Sequence, residues 1–271
     1  MPQTRRQFLG TGAVLGTSLA LTDAHAATSK SSKHTDKDNL MFHVPITTIP
    51  VAGTGKRFQV RRIYCIGRNY AAHAREMGSD PTKEPPFFFQ KPTDAIQLAP
   101  PGQIIDHVYP PMTKNYHYEV ELVAAIGKQG RNIDQANALD YVVGYTVGLD
   151  MTRRDLQSDM KAERKPWEIG KSFDHAAIVG ELQPVSAVGN PNKGAITLSV
   201  NGEIKQQSDL SDMIWSVAQQ IAHLSRYYEL FPGDIIYSGT PDNVGPVVPG
   251  DLMVGHIDGL PDISVKVVSA P

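Results

Sequence analysis

His117-Tyr118-Glu119-Val120-Glu121-Leu122-Val123 alternates bulky apolar or aromatic residues with carboxylates, which is the pattern of a β-strand. Side chains on a strand point alternately to its two faces, so Tyr118, Val120 and Leu122 share one face and Glu119 and Glu121 the other. Working outward, Val142-Val143-Gly144-Tyr145-Thr146-Val147-Gly148-Leu149 is an apolar run suited to a buried strand, and it stops at Asp150. Asn201-Gly202 follows Ile196-Thr197-Leu198-Ser199-Val200 and predicts a tight hairpin, because both turn residues tolerate positive φ. Pro232-Gly233-Asp234 and Pro249-Gly250-Asp251 each open another short apolar segment. Ile214, Val217, Ile221, Leu224 and Tyr228 recur at helical spacing and predict an amphipathic helix from about Met213 to Leu230. Many short strands with few helices indicate a mixed α/β, β-rich fold and not a regular βαβ series.

The chain has 271 residues, enough for a full hydrophobic core, and its formal net charge of −2 provides no basic field for nucleic acid. The single cysteine, Cys65, excludes an internal disulfide and a thiolate-rich zinc site. Its place in the apolar run Ile63–Ile66 favours a buried, inert thiol over a nucleophile.

At the N-terminus, Thr4-Arg5-Arg6-Gln7-Phe8-Leu9 resembles a twin-arginine export signature. A weakly apolar stretch to Leu21 and the small-x-small site Ala24-His25-Ala26 follow. The expected organisation is an export signal over 1–26, a polar linker and N-terminal extension over 27–57, and one catalytic domain over 58–271. The expected destination is the periplasm, with no membrane span once the signal is removed. The other reading of Arg5-Arg6 is a chance pair on a disordered terminus.

Three constellations carry chemistry. Glu119 and Glu121 lie about 6.5–7 Å apart along a strand, so both carboxylates can reach one hard cation. The alternative is the solvent face of an edge strand. Asp150, at the end of its apolar run, is either a site carboxylate or a cap for the helix expected from Thr152-Arg153-Arg154-Asp155. If Gly67–Gly78 is helical, His73 and Glu76 are neighbours on one face and could form a general-base pair, or a surface ion pair.

Together these segments resemble the fumarylacetoacetate hydrolase family, most closely its bacterial members that cleave fumarylpyruvate. The resemblance rests on Tyr64-Cys65-Ile66-Gly67-Arg68-Asn69-Tyr70 with His73 and Glu76, on Pro86-Phe87-Phe88-Phe89-Gln90-Lys91-Pro92, and on Glu119-Val120-Glu121-Leu122. Gly148 through Gln157, Trp167 through Asp174, Asp212-Met213-Ile214-Trp215 and Ser238-Gly239-Thr240-Pro241 extend it. It implies the β-roll of that family's C-terminal domain with a few peripheral helices, usually as a homodimer. It also implies Glu119, Glu121 and Asp150 as ligands of one Mg²⁺ or Mn²⁺, whose oxygen preference suits them. His73, Glu76 and Lys171 are implied as catalytic groups, and Arg68, Gln157 and Thr240 as substrate-binding groups. The activity implied is hydrolysis of a carbon–carbon bond in an acylpyruvate, with fumarylpyruvate the leading substrate. Oxaloacetate decarboxylation and hydroxydienoate isomerisation could use the same site, and a non-catalytic 2-oxo acid binder is a third class. Relatives carry an Ala-Pro…Gly-Pro pattern where residues 175–181 read His-Ala-Ala-Ile-Val-Gly-Glu, so a loop of altered shape is expected near Lys171.

Overall fold

The computed structural model describes residues 41–81 and 84–270. The export signal and nearly all of the polar linker expected from the sequence lie outside the described residues. From Pro45 onward the chain is one compact unit. Thr48–Pro50 pairs with Arg57–Gln59 and fully buries Ile49, so packed structure begins ahead of Phe58.

The fold is β-rich. A central sheet runs in the order Phe87–Lys91, Arg62–Gly67, Asp234–Tyr237, Val120–Ile126, Val142–Asp150, Ala177–Val179 and Ile96–Leu98. A second sheet runs Glu203–Asp209, Ala195–Val200, Leu252–Ile257, Ile263–Val268 and Ile104–Val108. The two meet through Val120 and Val147 of the first and Gly255 of the second. A Cβ on Gly255 would stand 3.3 Å from Val147 and 3.4 Å from Val120, so the glycine lets the layers close. The helices are peripheral: α1 (Ala71–Glu76), α2 (Arg154–Ala162), α3 (Glu168–Lys171), α4 (Val185–Val188) and α5 (Val217–Tyr227). No described helix is long and apolar enough to cross a membrane.

The hairpin expected at Asn201-Gly202 is present, with φ of 53° and 83° at its two turn residues. Cys65 is fully buried on its strand, and burial pushes its thiol pKa well up. Three local expectations differ from what is found. The amphipathic helix is shorter than Met213–Leu230. Ser216 and Gln219 form a capping box that fixes its start, while Met213 and Ile214 are held by backbone pairing to Tyr70 and Asn69. Residues 175–181 do not form a loop throughout: Ala177–Val179 is a central strand, antiparallel to Val142–Asp150 and parallel to Ile96–Leu98. Its small and branched apolar residues are buried on both faces, which suits an interior strand. Finally, the strand read through His117–Val123 is broken at Glu119. Tyr116–Tyr118 belongs to a small three-stranded sheet with Thr152–Arg153 and Gly245–Pro246, and Val120–Ile126 belongs to the central sheet.

Candidate metal centre

That break places Glu119 where the chain passes from one sheet to the other. Asp150 is held beside it, because its backbone N–H donates to the Glu119 carbonyl at 2.9 Å, and Glu121 pairs with Gly148 in the same ladder. Oxygens of Glu119, Glu121 and Asp150 therefore lie within 4.8 Å of one another. All three residues are at most 4% exposed, so the solvent-face alternative for Glu119 and Glu121 is overturned. Asp150 does not cap α2 either: the N-cap of that helix is Arg153, with no side-chain cap.

Each carboxylate has a distinct environment. Glu121 Oε2 accepts from the Gly239 N–H at 2.7 Å. Gly239 has φ +96°, and a Cβ there would stand 2.5 Å from Asn69 Cβ, so only glycine brings that donor so close. Burial and the neighbouring Asp150 and Glu119 charges push the Glu121 pKa well above the usual carboxylate range. Burial would also raise Glu119, but Lys171 and Arg154 outweigh it and hold that carboxyl well below its ordinary value. Lys171, at the end of α3, donates from Nζ to Glu119 Oε2 at 2.8 Å and to Asp150 Oδ2 at 2.9 Å. Burial works against its charge, yet those two carboxylates raise its pKa on balance.

Two further cations complete the cluster. Arg154 pairs with Glu119 Oε1 and donates to Gln157 Oε1 at 2.6 Å. Lys91 Nζ lies 2.8 Å from Asp150 Oδ1 as an ion pair, while its hydrogen bonds go to the carbonyls of Met151, at 3.2 Å, and Lys171. Asp150 Oδ1 is buried and accepts no hydrogen bond from the described residues. An all-oxygen donor set with one such oxygen and two mutually repelling carboxylates fits a hard divalent cation such as Mg²⁺ or Mn²⁺.

His73 lies on α1, 4% exposed, and its Nδ1 is 3.0 Å from Glu76 Oε2. With the carboxylate as acceptor, Nδ1 carries the proton and Nε2 is left as the ring's acceptor. His73 shares a narrow cleft with Glu119, Glu121 and Lys171. Phe87, Phe89, Trp167 and Met77 form its apolar wall. Arg68, Gln157 and Thr240 also line it. Arg68 sits over the Phe87 ring, with its guanidinium 5.3 Å from the ring centroid, and pairs with Glu84 at 3.1 Å. Thr240 Oγ1 accepts from Gln206 at 2.9 Å.

The nine site residues expected from the sequence thus converge on one cleft, apart from Asp150 and Glu76, which stand behind its lining residues in contact with Lys171 and His73. Sequence reasoning assigned no role to Lys91 or Arg154. A lysine closing an aromatic strand-length run, and an arginine three residues before Gln157 on one helix, were the available signals.

The profile described as "Fumarylacetoacetate (FAA) hydrolase C-terminal" matches residues 62–268. A fumarylpyruvate hydrolase of Ralstonia sp is 44% identical over 188 residues, covering 69% of this chain and 95% of that protein. The mitochondrial oxaloacetate decarboxylase of Dictyostelium discoideum is 42% identical over 200 residues, covering 74% and 90%. The crystal structure of fumarylpyruvate hydrolase from Pseudomonas aeruginosa, in complex with Mn²⁺ and pyruvate, superposes with a TM-score of 0.85 at 53% identity. It covers 86% of this chain and all of that one.

Proposed function

Because this chain belongs to the fumarylacetoacetate hydrolase family, we propose that it is a divalent-metal-dependent hydrolase that cleaves the carbon–carbon bond of an acylpyruvate, with fumarylpyruvate the leading substrate. The observation that carries the reading is that a three-carboxylate cluster and a His73–Glu76 pair meet at one cleft, which Glu119, Glu121 and His73 line. Glu119, Glu121 and Asp150 would hold the Mg²⁺ or Mn²⁺. When bound, the ion would supply Lewis-acid polarisation of a 2-oxo acid.

The chain's own groups do the rest. His73 takes a proton from water through Nε2, and Glu76, at Nδ1, stabilises the imidazolium that forms. The resulting hydroxide adds to the C4 ketone of the substrate. The C3–C4 bond then breaks, its electron pair remains on the pyruvate fragment, and the proton held by His73 is available to C3. Lys171 places a positive charge beside the fragment that gains the electrons. Arg68, Gln157 and Thr240 bind and orient the substrate, and the Phe87–Phe89–Trp167 wall excludes water from its far side.

The test is a panel of acylpyruvates and oxaloacetate on purified protein with Mg²⁺ or Mn²⁺ added. Release of pyruvate together with the free acid supports the reading; no cleavage of any acylpyruvate contradicts it. Oxaloacetate decarboxylation is the second reading, favoured by the 42%-identical decarboxylase relative and by a metal–lysine site that suffices without activated water. The proposal includes homodimer assembly and export by the twin-arginine route. Lysine at both Arg5 and Arg6 should trap the precursor inside the cell. Finding the Lys/Lys protein exported as efficiently as the parent would contradict that route.

A further inference from the structure

The reaction above uses neither Arg154 nor Lys91, and of these two cations only Lys91 is kept away from the space a substrate would occupy. It ends the strand Phe87–Lys91, its side chain is fully buried, and it is not among the groups lining the cleft. Its hydrogen bonds go backward, to the carbonyls of Met151 and Lys171. Those are the residue following the Asp150 ligand and the catalytic lysine itself. Lys91 thus ties two separate chain segments together, while its charge lies 2.8 Å from Asp150 Oδ1, outside hydrogen-bond alignment. Placing a buried ammonium there is costly, and a neutral side chain could fill the space without that cost.

The charge count indicates what the ammonium does. Glu119, Glu121 and Asp150 contribute three formal negative charges, and Lys91, Lys171 and Arg154 three positive ones. With all three carboxylates ionised around a bound divalent ion, the protein groups sum to zero and the whole site is doubly positive. That balance suits a doubly negative ligand, as a 2-oxo acid becomes when its enolate forms. Without Lys91 the cluster would attract the metal more strongly and the dianion more weakly.

We propose that Lys91 is a positioning residue that trades metal affinity for anion stabilisation. It registers Asp150 against Lys171 and, as a fixed charge behind Asp150, weakens the hold on the divalent cation while strengthening the hold on the dianion. The proposal rests on the metal reading above but not on the identity of the acyl substrate.

The test uses Lys91→Met, of similar length without charge, and Lys91→Gln, which keeps a donor without charge. Mn²⁺ binding is titrated by electron paramagnetic resonance, and oxalate, a planar dianion resembling pyruvate enolate, is titrated into the Mn²⁺-loaded protein. Removing a unit charge a few ångströms from the ion should tighten Mn²⁺ binding by about tenfold or more and weaken oxalate by a similar factor. These opposite shifts are not what a damaged fold produces, since a damaged site loses both ligands. Mn²⁺ binding that is unchanged or weaker in whichever variant folds, or oxalate binding that is unchanged, would overturn the proposal. Failure of the parent protein to bind Mn²⁺ would instead sink the metal reading on which it rests.

Discussion

Lys171 Nζ bridges Glu119 and Asp150, at 2.8 Å from one carboxylate and 2.9 Å from the other. The same ammonium lines the cleft, 5.1 Å from the centroid of the Phe89 ring. It therefore joins the acidic cluster to the space a substrate would occupy. Lys171→Met should lower kcat by about 10²–10³, the loss typical of one preorganised electrostatic donor. Divalent-metal binding, measured by calorimetry, should survive, because the three carboxylates remain. Loss of metal binding with the fold intact would move Lys171 from the reaction to the assembly of the site.

Glu121 offers a test with two signs. Its carboxyl is pushed well up by burial and by Asp150 and Glu119, so ionising it in the metal-free protein is unfavourable. Glu121→Gln should leave the metal-free protein at least as heat-stable as the parent, since a neutral amide removes that repulsion. It should also abolish most of the stabilisation that added Mg²⁺ or Mn²⁺ gives the parent, and lower activity in step. Scanning calorimetry with and without metal reads both. A variant stabilised by metal as much as the parent would exclude Glu121 as a ligand.

Stability should depend on pH through buried histidine. His107 is fully buried between Gln97 and Tyr116, each 2.6 Å from a ring nitrogen. Burial, reinforced by nearby His175, lowers its pKa to about 4. Below the unfolded value of about 6.5 the unfolded chain takes up a proton that the folded chain refuses, so stability present above that pH is lost as pH falls toward 4. The loss from His107 alone is about 3 kcal/mol. His117, lowered to about 4 by burial and Arg154, acts in the same window. Urea unfolding at pH 7, 5.5 and 4.5 should show the decline, and His107→Gln should flatten it. An equally steep decline in that variant would assign the pH dependence elsewhere.

Much of this arrangement is legible in the sequence because its periods are short. Two-residue alternation marks Glu119 and Glu121 as same-face neighbours, and the apolar run ending at Asp150 marks a buried strand with a carboxylate at its tip. Helical spacing brings His73 to Glu76 within one short turn. What escapes such reading depends on distant partners. The break at Glu119 arises because Tyr116–Tyr118 is claimed by a different sheet. The Ala177–Val179 strand exists because two other strands flank it, and its small residues carry no strong local signal. Lys91 and Arg154 have long side chains whose destination is set by the carboxylates they meet, 59 and 35 residues away in sequence, and no local pattern records that.

The central claim is that His73 activates water for hydrolysis, and one comparison tests it most directly. Steady-state rates on an acylpyruvate and on oxaloacetate are measured for the parent and His73→Ala with the metal saturating. Hydrolysis requires a base beside C4, whereas decarboxylation of a chelated 2-oxo acid requires no attacking water. The account predicts that His73→Ala loses about 10²–10⁴-fold in acylpyruvate hydrolysis, retains metal binding, and loses much less of any oxaloacetate decarboxylation. Equal losses on both substrates, or full hydrolysis by the variant, would contradict it and leave decarboxylation as the better reading of the site.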